Sequence, residues 1–308
     1  MNSSSENGGE RRGAFDFARS VTQRRRLRKC NFSYYLHYGE GYTAKARKGT
    51  YAFGDAWQVA VEAVLQGAAT SPEQMYEVFC SEWAKLETAP LEWNSRTGYT
   101  FFLERGKALA QVAYRELRQI VGQPKGAAIY NQRFTYELAP GVRETAVPDY
   151  VGPVLRYQAP GVYLEPVETV IDWKTSPREY QEIGVELDEQ LTAYQLGVER
   201  HYNRRIEQVA LCVFIYAAMP KVQWIFCPRR PPEVLEQFVA SAVVDDQRIR
   251  RNEFPRNTNA CFLMGRCEMV PICYPSQRHL IAAELDKPAE RRNDQPLDWI
   301  QLEAIETE

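Results

Sequence analysis

A chain of 308 residues, 44% hydrophobic and 25% charged, has ordinary globular composition and is long enough for one large domain or two small ones. Its 38 basic and 40 acidic residues leave a formal charge of −2, which excludes a global pull toward nucleic acid; such binding must come from local patches. The longest apolar run, Ala210 to Met219, is too short to span a bilayer, and Met1 to Gly9 lack the apolar core of a signal peptide, so a soluble, cytoplasmic protein with no membrane partner is expected.

In chain order, residues 1–19 read as a flexible tail. Residues 20–38 form a basic helix carrying the aromatics Phe32, Tyr34, Tyr35 and Tyr38. Phe53, Trp57, Val61 and Val64 recur at helical spacing and predict a helix over 51–67, with two more near 72–87 and 97–121. The period then changes: 130–138, 145–151 and 167–174 read as strands between Pro and Gly punctuation. Leu187, Leu191, Tyr194 and Val198 restore a helix over 186–202. Strands are predicted from Val209 to Ala217 and from Lys221 to Phe226, then a helix near 231–249, a Pro/Asn/Cys-rich loop at 252–275 and a charged tail at 276–308. The sum is an α/β core with helical additions and no internal repeat.

The stretch Val170-Ile171-Asp172-Trp173-Lys174-Thr175-Ser176 begins as a buried strand and then places an acid and a base two residues apart. Side chains alternate across a strand, so Asp172 and Lys174 share a face. Asp149 supplies a second carboxylate at a strand position, 23 residues earlier. Two strand carboxylates with a backbone carbonyl between them, that of Trp173, make a hard oxygen site suited to Mg²⁺ or Mn²⁺. A nearby lysine then orients or deprotonates a water for attack on phosphorus. The competing reading is a strand end with a loose salt bridge. Gln190 and Tyr194 lie at i and i+4 on one face of the following helix.

The ordered set Asp149, Asp172-x-Lys174 and Gln190-x-x-x-Tyr194 resembles the PD-(D/E)XK nuclease superfamily in its RecB-like branch. "LRKCNFSYYLHY", Leu27 to Tyr38, and "CFLMGRCEMVPIC", Cys261 to Cys273, are similar to the terminal cysteine motifs of iron–sulfur RecB-like exonucleases. That group includes the CRISPR-associated RecB-like exonucleases and the AddB nuclease domain. The resemblance covers about residues 20–275. It implies a restriction-endonuclease-like core, with a mixed β-sheet flanked by helices and closed by a C-terminal cysteine loop. It also implies a metal-dependent DNA exonuclease in recombination, repair or CRISPR adaptation, with a helicase, recombinase or CRISPR integrase as partner.

Cys30, Cys261, Cys267 and Cys273 then hold one structural [4Fe–4S] cluster. Zinc in a Cys₄ site, or unliganded thiols, are the other readings of the same four residues. Cys80, Cys212 and Cys227 sit in apolar elements and read as core. The run Arg24, Arg25, Arg26, Arg28 and Lys29 reads either as a solvated helix face or as a track for single-stranded or overhanging DNA. In "GDAWQ", Gly54 to Gln58, the chain has Gln58 where relatives carry a metal-binding histidine, and Asp55 and Glu62 share its helical face. Gln58 is therefore both a candidate Mg²⁺ or Mn²⁺ ligand and the feature that supports a second reading, a weakly active or inactive DNA-binding or assembly subunit.

Overall fold

The computed structural model describes residues 18–94, 96–122, 128–263 and 265–287. The expected N-terminal tail lies almost wholly outside the described residues, as does the tail beyond 287. Helix α1 (Val21–Lys29) starts at a capping box: the Ser20 hydroxyl accepts from the Gln23 N–H, and the Gln23 side chain accepts from the Ser20 N–H. The single helix expected over 20–38 is broken. Cys30 adopts an extended conformation, after which the chain coils through Asn31–Tyr34 and a π-turn at Tyr35–Gly39. The break lets Leu27 and the Phe32-Tyr34-Tyr35-Leu36 group bury in one small core with Phe254, Met269 and Ile272.

Helices α2 (Gly49–Leu65), α3 (Pro72–Ala84) and α4 (Tyr99–Ile120) stand where helical periodicity puts them. Their stripes, led by Phe53, Trp57, Phe79, Trp83 and Phe102, bury against Ile171, Trp173, Cys212 and Phe214 of the sheet. No described helix is long and apolar enough to cross a membrane.

The strand expected at 130–138 is two elements. Ile129–Tyr130 joins the main sheet, Asn131 turns at a positive φ of 46°, and β1 (Phe134–Ala139) pairs instead with β2 (Val142–Ala146) as a separate hairpin. The strand expected at 145–151 is likewise cut near Pro148, which has no N–H to give a ladder. Beyond it, β3 (Tyr150–Ala159) and β4 (Val162–Ser176) form a long antiparallel pair. Only the buried second half of β4 was visible in the sequence, because residues 162–168 alternate weakly and stay largely exposed.

Helix α5 (Glu189–Tyr202) carries the chain back to β5 (Gln208–Ile215), which lies parallel to β4; β6 (Lys221–Pro228) closes the edge antiparallel. The five-stranded order is β6-β5-β4-β3, then Ile129–Tyr130. Helix α5, helix α6 (Pro232–Arg250) and the β1–β2 hairpin cover the second sheet face, over Val151, Val170, Val209, Leu211 and Val213. This is the expected mixed sheet flanked by helices. Cys212 and Cys227 are buried as expected, whereas Cys80 is half-buried against the first core.

The segment from 276, read as tail, is folded as far as Asp286. It forms a 3₁₀ turn (Pro275–Leu280) and a helical turn (Ile281–Glu284), and Leu285–Asp286 then pair with Thr43–Ala44.

Candidate active site

Strand register builds the site. Tyr150 lies opposite Ile171, so Asp149, one residue earlier, arrives level with Asp172 and Trp173. Asp149 Oδ2 accepts the backbone N–H of Trp173 at 2.6 Å. A residue's N–H and C=O face the same neighbouring strand, so the Trp173 carbonyl faces the Asp149 side as well. Lys174 Nζ is 2.6 Å from Asp172 Oδ2, as period-two alternation requires. Across the site, Gln190 Nε2 donates to the Tyr194 hydroxyl at 2.6 Å. Asp149, Asp172, Trp173, Lys174 and Gln190 all line one cleft of about 1460 Å³.

Gln58 reaches the site from α2, with its amide nitrogen inward. Nε2 donates to Asp149 Oδ1 at 3.1 Å and to Glu62 Oε1 at 3.2 Å. Between two carboxylates only the donor end of an amide is tolerated. Asp55 also lines the cleft but pairs there with Arg47, and Glu62 is the acid of α2 that shares Gln58 with Asp149.

Burial governs the charges. The Asp149 carboxyl is pushed up to about 8 by burial and then by the charge of Asp172. Asp172 is also raised by burial, which outweighs the opposing pull of Lys174. Burial works against the Lys174 ammonium, yet Asp172 and Asp149 together raise it above the ordinary lysine value. The donor set of carboxylate and carbonyl oxygens, short of positive charge, fits a hard divalent cation. Among the described residues no group of three or more His, Cys, Asp or Glu stands at metal-ligand spacing, so the Trp173 carbonyl or water must complete any such sphere. The expected Gln58 ligand presents its amide nitrogen instead.

The four predicted cysteines gather at one place. Cys30 ends α1, and its sulfur accepts the Asn257 N–H at 3.5 Å. Cys261 lies 3.6 Å from the Tyr274 hydroxyl, which donates to it, and its carbonyl accepts the Cys267 N–H at 2.7 Å. The Cys273 thiol is pushed up to about 11, first by burial and then, against Arg256, by the sulfurs of Cys267, Cys30 and Cys261. All four are free and half-buried, and Cys30, Cys267 and Cys273 pack against the core of Phe32, Phe254 and Ile272. The four thiols are therefore neighbours drawn from distant parts of the sequence, near enough to influence one another but not closed around a common centre.

The basic run is not the free cationic track that one reading of the sequence predicted. Arg24 is 1% exposed, bonded to Glu144 at 2.8 Å and to the Ala242 carbonyl. Arg25 pairs with Asp188, Arg26 with Glu268, and Arg28 with Glu189 and Asp245. Lys29 is exposed. Arg24 is paired because a buried charge must be, and Arg25, Arg26 and Arg28 are paired nearer the surface. At the cleft rim, exposed Arg178 and Tyr180 follow the end of β4. His37 holds the Tyr42 carbonyl and His201 stacks on Phe134; neither lines the cleft.

Sequence reasoning missed Asp188. Its carboxylate accepts the N–H groups of Gln190 and Leu191 as the N-cap of α5. An Asp directly before a helical run is an N-cap signature, so the signal was there.

A family model described as the PD-(D/E)XK nuclease superfamily matches residues 18–274. No curated protein matches the chain. One solved structure similar to it, at 2.19 Å, is a provisionally named exonuclease from Eubacterium rectale, with 12% identity, 99% of both chains covered and a TM-score of 0.49.

Proposed function

Because the chain belongs to the PD-(D/E)XK nuclease superfamily, and is thus a nuclease of restriction-endonuclease-like fold, we propose that it is a metal-dependent DNA exonuclease of the RecB-like branch. The observation that carries this reading is the meeting of Asp149, Asp172 and Lys174 on the floor of one open cleft. Asp149, Asp172 and the Trp173 carbonyl are the groups that would hold Mg²⁺ or Mn²⁺. When bound, such an ion supplies Lewis-acid stabilisation of a phosphodiester and a more acidic water.

Lys174 keeps its proton beside two carboxylates. It therefore orients the attacking oxygen and offsets charge developing at phosphorus, rather than removing the water's proton. Gln190 borders the same cleft, and its amide donates to the buried Tyr194 hydroxyl behind it; in this reading the pair orders the substrate side of the floor. Arg178 and Tyr180 at the rim suit a phosphate and a base of single-stranded or overhanging DNA.

The gathered thiols of Cys30, Cys261, Cys267 and Cys273 suit a structural [4Fe–4S] cluster. Recombination, repair and CRISPR adaptation are the settings this assignment suggests, with a helicase, recombinase or integrase supplying ends. Protein purified without oxygen is expected to be brown, with about four irons per chain. A colourless folded protein with one zinc replaces the cluster by a zinc site.

The activity test is digestion of end-labelled single-stranded DNA in Mg²⁺ or Mn²⁺, beside a circular strand of the same length. Release of terminal nucleotides by the wild type and none by Asp172→Ala supports the reading; cutting of the circle makes the enzyme an endonuclease. The inward amide nitrogen of Gln58 favours one alternative, a DNA-binding subunit that does not cleave. An inert wild type beside an active Gln58→His variant establishes it.

A further inference from the structure

Helix α5 carries Gln190 and Tyr194, and its first turn is held from outside by α1. The Asp188 carboxylate does two things at once. Oδ1 caps α5 through the N–H groups of Gln190 and Leu191, at 2.7 and 3.1 Å, while Oδ2 pairs with Arg25 at 3.1 Å. One residue on, Glu189 pairs with Arg28. Arg28 is itself anchored, with Nε 2.8 Å from Oδ2 of the buried Asp245 on α6.

The i, i+3 spacing of Arg25 and Arg28 puts both on one side of α1, facing two consecutive acids. The Arg25–Asp188 and Arg28–Glu189 pairs are partly exposed, and such pairs contribute little to stability. Two of them therefore do little to hold the protein folded. They do fix the starting point of a helix whose second residue, Gln190, lines the cleft. Displacement of about 1 Å at a reacting centre can cost on the order of 10²-fold in rate, so a weak clamp on this turn has more leverage over turnover than over stability.

We propose that Arg25 and Arg28 are positioning residues for cleavage: they clamp Asp188 and Glu189 and so set where Gln190 and Tyr194 stand over Asp172 and Lys174. This rests on the nuclease reading of the cleft. The clamp acts through α5 and touches no substrate.

The test compares the wild type with Arg25→Ala/Arg28→Ala, Arg25→Lys/Arg28→Lys, and Asp188→Asn, which keeps the cap acceptor and loses the charge. Turnover at saturating DNA, DNA affinity, melting temperature and hydrogen exchange over residues 189–195 are measured. The alanine pair is expected to lose about tenfold to a hundredfold in turnover, with DNA affinity within about twofold. Its melting temperature falls because the buried Asp245 loses Arg28, and Asp245→Asn, which loses that charge pair and keeps the clamp, holds turnover near wild type. Exchange in the first turn of α5 speeds up. The lysine pair recovers most of the turnover, and Asp188→Asn lies between.

Unchanged turnover in the alanine pair overturns the proposal. So does a loss that only follows the melting temperature, or one that appears as weakened DNA binding. If the wild type itself cleaves nothing, the nuclease reading fails, while faster exchange in the alanine pair still supports the clamp and unchanged exchange overturns it.

Discussion

Asp149 meets the Trp173 N–H, the Gln58 amide and the charge of Asp172 in one buried place. Its proton affinity is raised from 3.8 to about 8, and that of buried Glu144 from 4.5 to about 7. For Glu144, burial outweighs the nearby Arg24, because the carboxylate is fully enclosed and Oε1 has no hydrogen-bond partner. A carboxyl whose folded value exceeds its unfolded one binds more protons when folded. Its stabilising effect is full below the unfolded value and is lost as pH rises through the folded one. Metal-free protein should therefore lose on the order of 1 kcal/mol per pH unit between about pH 5 and 8. If ionised Asp149 is a ligand, as proposed, Mg²⁺ should raise the melting temperature more at pH 8 than at pH 6. Thermal denaturation at both pH values, with and without Mg²⁺, checks this; an equal Mg²⁺ shift at both removes Asp149 as a ligand. At the same scale, Lys174→Met should cut turnover by roughly 10²- to 10³-fold, the loss seen when one electrostatic donor is removed. DNA binding in a gel-shift assay should persist.

Helix α5 shows what an element needs in order to serve a site. Gly197 faces the β1–β2 hairpin, and a Cβ there would stand 2.6 Å from the Tyr136 ring and 3.0 Å from Phe134. Alanine in a helix interior normally gains about 1 kcal/mol over glycine. Overpacking costs about 1–3 kcal/mol, and the close approach to two buried rings puts this site at the upper end. Gly197→Ala should therefore lower the melting temperature by a few degrees, and a rise would mean the hairpin yields freely. The existence of α2 to α6 was legible because each buries a stripe at a 3.6-residue period, and Asp172-x-Lys174 was legible because a strand repeats every two residues. The hairpin β1–β2 was not, since its departure from the main sheet turns on the left-handed Asn131, which composition does not reveal. The basic run misled for a related reason: Arg24 looks like a surface cation until Glu144, 120 residues away, is placed against it. Long-range pairing decides what a charge is for, and local pattern is blind to it.

Across the whole molecule, the gathered thiols and the α1 ion pairs bring early and late parts of the chain together. Cys267→Ala should cost more than a lone half-buried thiol if the four sulfurs share one ion or cluster, because that binding free energy is also folding free energy. Thermal melts of metal-loaded protein, wild type against variant, measure it; equal melts leave the thiols unliganded. The α1 contacts also span great distances along the chain: Arg28 reaches Asp245 across 217 residues, and Arg24 reaches the Ala242 carbonyl across 218. Made on a ribosome at about 5–20 residues per second, α1 waits roughly 10–40 s for these partners to emerge. During that interval Glu144, Asp188 and Glu189 emerge first, but Arg28 still lacks Asp245 and Leu27 lacks the core it shares with Phe254, Met269 and Ile272. Nascent chains arrested before α6 should be cut by protease within 18–38, and chains arrested well past Asp286 should resist. The cleft, whose bordering helix α5 leans on α1, is thus completed only near the end of synthesis.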